Sequence, residues 1–224
     1  MNAVLCRARR AAAIVSLLGV TAHPALAQPS APLPPPQQDG QAVVATVKFL
    51  AGGLVGLAAH EGGHLIFDAI FDAEPHISRV QFGPFPFFAI SHRTDLSPRR
   101  EFTISSAGFW VQEAANEWLL TRRPAIRDEH AWGTKGVLAF NVLNSVGYAL
   151  VASAKAGPVE RDTRGMAASI GVDERLIGAL VLAPAVLDTY RYFNRGSRWA
   201  AWTSRATKAG SVLLVLKRTS SSRR

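Results

Sequence analysis

The sequence predicts a mainly α-helical, small polytopic membrane bundle with a short β-hairpin-like insertion at about 77–91. Three observations carry that expectation. Residues 136–154 run without a charged side chain between Lys135 and Lys155, long enough as a helix to cross an apolar layer about 30 Å thick. Residues 42–72 and 176–193 form two further long apolar segments. Between them, Pro84 and Pro86 stand among apolar residues where a helix is forbidden and an edge hairpin or loop is favoured.

Composition agrees with loops flanking membrane segments. The 224 residues are 48% hydrophobic and only 18% charged, with net charge +9 and mean hydropathy +0.11. The basic residues gather between apolar runs, at Arg93, Arg99 and Arg100, at Arg122, Arg123 and Arg127, and at Arg191, Arg195 and Arg198. That pattern suits membrane lipid as a partner, not nucleic acid, for which no motif is present. The single cysteine, Cys6, excludes an intramolecular disulfide and a cysteine-ligated metal centre.

In chain order, residues 1–27 read as a signal peptide. Arg7, Arg9 and Arg10 precede an apolar run, and Ala25-Leu26-Ala27 offers a small-x-small cleavage site. The expected destination is a bacterial cytoplasmic (inner) membrane. Residues 28–41 form a Pro-rich linker. Residues 42–216 form the membrane-embedded domain, and 217–224 a basic disordered tail. Within the domain, the 42–72 helix carries Gly52 and Gly56 on one face, a small-xxx-small pattern that permits close helix approach. Segments 77–82 and 87–91 read as short strands. A helix over 103–121 places Glu113 and Glu117 on one face. The 136–154 span carries Asn141, Asn144 and Ser145 as hydrogen-bonding groups. Residues 156–175 read as a polar loop without a motif. In 176–193, Pro184 frees backbone carbonyls and Asp188 is an intramembrane carboxylate, which marks it as a functional candidate. A last helix is expected over 199–216.

The chemistry lies in His60-Glu61-Gly62-Gly63-His64, at the end of the first apolar helix. Residues i and i+4 share a helix face, so His60 and His64 can present two imidazoles to one metal ion. Zinc suits such ligands, and a third protein group leaves one position for water. Glu61 is placed to act as catalytic base toward that water. Asp68, one turn beyond His64, and Asn144 are candidates to orient the ligands from behind. His76 and His92, in the loop region, are possible further ligands.

Taken with the late Pro184-Ala-Val-Leu-Asp188 and the intervening Ala107-Gly108, the motif resembles that of site-2-type intramembrane zinc metalloproteases. The resemblance implies zinc as cofactor, His60, His64 and Asp188 as ligands, Glu61 as base, and a membrane-associated polypeptide as substrate. It also implies that strands near 77–90 pair with an unwound substrate. Here Thr189 follows Asp188 where the family carries glycine, and Phe109 follows Gly108 where it carries proline. Glu113 or Glu117 is the alternative third ligand. Two other readings remain open: a secreted soluble zinc hydrolase, and a non-catalytic membrane protein with a degenerate metal motif.

Overall fold

The computed structural model describes residues 38–82 and 85–221. The expected signal peptide and residues 28–37 of the expected linker lie outside them, and its last four residues, 38–41, begin the first helix. Six helices and one hairpin follow in order: α1 (Gln38–Ile70), β1 (His76–Phe82), β2 (Phe85–Ser91), α2 (Pro98–Arg122), α3 (Trp132–Ala154), α4 (Asp162–Ile170), α5 (Glu174–Phe193) and α6 (Arg198–Ser221). The protein is mainly helical with a two-stranded antiparallel sheet, as the sequence predicts. Its register pairs His76 with Ser91 and Val80 with Phe87.

Three helices are long and apolar enough to cross a membrane: Gly40–Ile70, Trp132–Ala154 and Glu174–Phe193. Leu54, Val55, Leu143, Leu150 and Val186 are exposed on them, which suits apolar surroundings rather than water. The glycines of α1 do what their spacing suggests. A Cβ on Gly52 would fall 1.9 Å from the Gly133 carbonyl oxygen, and one on Gly136 equally close to that of Phe49. Backbone therefore meets backbone between α1 and α3, and only glycine fits. Farther along, Gly56 meets Phe140 and His60 meets Asn144, so the two helices run parallel.

Two expectations need correction. Residues 156–175 are not only loop, because α4 lies within them. At nine residues, α4 is too short to be stable alone. It is held by Met166 and Ala167 packing with Phe102, Phe109, Ile177 and Val181. Its start is clamped by Arg161, which grips both Glu174 oxygens at 2.6 Å, and its end is closed by Gly171 in the left-handed region. The basic tail also differs from expectation: α6 continues to Ser221, so only 222–224 fall outside the described residues.

Candidate metal centre

His60 and His64 lie one turn apart on α1, and both are buried against α2. A Cβ on Gly108 would stand 2.5–2.7 Å from three atoms of the His60 ring. One on Gly63 would stand 2.8 Å from the Ala107 carbonyl oxygen. Ala107-Gly108 thus forms the surface on which the first histidine rests, and glycine is required by proximity.

Hydrogen bonds select the ring nitrogens. His64 Nδ1 lies 2.7 Å from the Ile104 carbonyl oxygen. A carbonyl only accepts, so Nδ1 carries the proton and the neutral ring keeps a lone pair on Nε2. His60 Nδ1 lies 3.5 Å from the Asn144 amide, which is 3.3 Å from Gln112 Oε1. Turning both amides by half a rotation fits the same atoms, since amide O and N are assigned from their partners. The Asn144 oxygen then accepts from His60 Nδ1. The Gln112 nitrogen, otherwise without a partner, donates to Asn144. Both histidines then present Nε2 lone pairs, the arrangement in which ligating imidazoles are held from behind.

Asp162, the first residue of α4, completes the group. Its Oδ2 lies 3.2 Å from His60 Nε2 and 3.4 Å from His64 Nε2, and the two Nε2 atoms are 3.2 Å apart. Ligands about 2.0–2.1 Å from a tetrahedral zinc stand about 3.3–3.4 Å from one another. The triangle has that size, and it is the one such group among the described residues. Burial would raise the Asp162 carboxyl, but the two imidazoles facing it hold it well below the usual carboxylate range. Tyr148 hydrogen-bonds Asp162, with its ring against Phe109. Glu61 is partly buried, within the electrostatic reach of His60, His64 and Asp162.

Asp188 is elsewhere. Its Oδ1 lies 2.8 Å from both Lys208 Nζ and Ser204 Oγ and 3.5 Å from Arg191. A buried carboxylate needs compensating cations, and α6 supplies one. The acid that stands beside the two histidines is Asp162, not the expected Asp188. Glu113 and Glu117 join the same α2–α5–α6 network. Glu117 pairs with Arg191 at 2.5 Å and Arg205 at 2.8 Å, and Glu113 meets Ser211 at 3.4 Å. Neither stands beside the histidines as the alternative ligand. Asn144 lies 3.5 Å from His60 Nδ1. Asp68 does not back a ligand: it is buried 3.5 Å from His92, whose other nitrogen lies 2.8 Å from Glu101. That trio ties the end of β2 to α1 and α2. His76 lies at an exposed strand end beside the Glu74 carbonyl oxygen.

Two outcomes are expected here. Gly108→Ala forces the His60 ring to move and is expected to weaken zinc binding by at least about tenfold, the lower range for disturbing a ligand's support. Gly62→Ala, which meets open space, is expected to leave binding unchanged; equal behaviour of the two in a zinc titration would rule out the steric account. The second concerns pH. Burial pushes Glu113 up to about 8 despite the opposing charge of Lys208, and Asp188 adds to the rise. The folded protein then keeps a proton that the unfolded chain releases near the ordinary glutamate range. The resulting stability is full below that range and is lost as pH climbs toward about 8. Glu113→Gln is expected to flatten this decline in unfolding measurements across that window; an identical slope in both proteins would mean that Glu113 is charged throughout.

No family model, no curated protein and no solved structure matches the chain, so the reading of this site rests on its own residues.

Proposed function

We propose that the chain is a zinc-dependent hydrolase of peptide bonds, acting within or at the edge of the membrane. The observation that carries the reading is the triangle of His60 Nε2, His64 Nε2 and Asp162 Oδ2, with Glu61 beside it. These three residues would hold the ion, and zinc bound there would supply a Lewis acid and a water of lowered pKa. Glu61 takes the proton of the attacking water and returns it to the leaving amine. The Ile104 carbonyl and Asn144 hold the imidazoles in register, and Tyr148 steadies Asp162. A substrate must reach a site crowded by α1, α2 and α3, which favours unwound chains over folded domains. In a two-stranded sheet each strand keeps one edge without a strand partner, and an extended segment can add there. The three apolar helices support action at a membrane. The N-terminal Arg7, Arg9 and Arg10 with Ala25-Leu26-Ala27 support a bacterial inner-membrane location.

The test is zinc content and cleavage of a transmembrane reporter by the full chain in mild detergent. About one zinc per chain is expected, with activity lost to a chelator and restored by zinc. A chain that takes up no zinc when metal is added would overturn the proposal and leave a non-catalytic membrane protein.

A further inference from the structure

Away from the histidines, a cavity of about 180 Å³ opens where α2 and α5 end and α6 begins. Thr121, Arg191, Arg195, Ser197 and Arg205 line it, and no acidic residue does. Ser197 Oγ is buried without a partner. Arg191, Arg205 and Lys208 all converge on one carboxylate, Glu117, at 2.5, 2.8 and 3.2 Å. Burial would raise Glu117, yet the hydrogen bonds from Arg191 and Arg205 hold it well below the usual range. Asp188 shares the contacts of Arg191 and Lys208, so the cations around the cavity outnumber the ionised acids. Among the described residues Arg195 pairs with Asp128, at 2.8 Å, with both side chains 63% exposed; such a surface pair is weak and exchanges readily.

The position adds a second line of argument. The α5 candidate span ends at Phe193, so the cavity lies at the edge of the apolar zone. Phe193 at the end of α5 and Trp199 and Trp202 in the first turns of α6 are exposed, and Arg205, which lines the cavity, rests over the Trp202 ring. Aromatic side chains of this kind concentrate at the headgroup level of a bilayer. Guanidinium forks and hydroxyls match phosphate oxygens, and basic pockets at helix ends take lipid headgroups.

We infer that this cavity binds the phosphate of an anionic phospholipid headgroup. Arg195 supplies the exchangeable donor, Ser197 the unsatisfied hydroxyl, and Arg191 and Arg205 positive charge held in place by Glu117. The inference stands apart from the zinc site and does not depend on catalysis.

The test is calorimetric titration of the full chain in neutral detergent with dihexanoyl-phosphatidylglycerol below its micellar concentration. Phosphatidylcholine of the same chain length and free glycerol phosphate are titrated in parallel. The anionic lipid is expected to bind at least about fivefold more tightly than either. Arg195→Gln is expected to weaken it by about fivefold, the effect of one basic residue at a membrane surface. Asp128→Asn frees Arg195 and is expected to strengthen it. Both positions are exposed, so the fold should survive, and unchanged circular dichroism would confirm that. Equal binding of the two lipids would overturn the inference. So would unchanged affinity in both variants, or glycerol phosphate binding as tightly as the lipid, which would make the cavity a site for soluble anions.

Discussion

Asp162→Ala is expected to strip the chain of zinc, whereas Asp188→Ala leaves the metal in place. Asp162 contributes one of three donor atoms, 3.2 and 3.4 Å from the other two. Without it, the two imidazoles lose the carboxylate that completes the triangle. Disturbing an outer partner of a ligand already costs about 10–100-fold in affinity; removing a ligand outright is expected to cost at least about 100-fold. Asp188→Ala acts differently. It leaves buried Lys208 with Glu117, 3.2 Å away, as a remaining carboxylate, so the α5–α6 contact is expected to lose less than the about 3–5 kcal/mol that a buried charge left wholly unpaired costs. Zinc per chain, measured beside unfolding in detergent, separates the two effects. Zinc lost from Asp188→Ala in a folded protein, and retained in Asp162→Ala, would restore the ligand set that the family resemblance implies.

Glu61→Gln is expected to keep zinc and abolish turnover. The amide preserves size and hydrogen bonding but cannot accept the water's proton. Positioned general bases contribute about 10²–10⁴-fold, so cleavage should fall by at least about 100-fold with zinc content unchanged. Glu61 interacts electrostatically with His60, His64 and Asp162, the place such a base must occupy. Full activity in this variant would remove Glu61 from the mechanism and leave the zinc group as a structural site.

Most of the architecture was legible from local patterns. The three apolar runs became α1, α3 and α5, and the insertion expected at 77–91 became the strands β1 and β2, with boundaries moved by a few residues. Gly52 and Gly56 were readable as a packing face because small-residue spacing on a helix is a local property. The short α4 was not readable. Its nine residues gain their stability from Phe102, Phe109, Ile177 and Val181, which lie on other helices.

The sequence by itself determined the pair His60 and His64, because four residues make nearly one helical turn and no tertiary contact is needed to align them. It also determined Glu61 as their acidic neighbour and the apolar helices that frame them. Only the tertiary structure brought a third group, Asp162, to the histidine pair. Asp162 stands 102 positions from His60 in the chain, brought there by the turn between α3 and α4, and no spacing rule spans that distance. Asp188 looked equally suitable, as an acid at the end of an apolar helix. Lys208 on α6 lies 2.8 Å away. A buried carboxylate is stabilised by the cation that packing brings within reach, and which cation that is can be settled only when the helices come together.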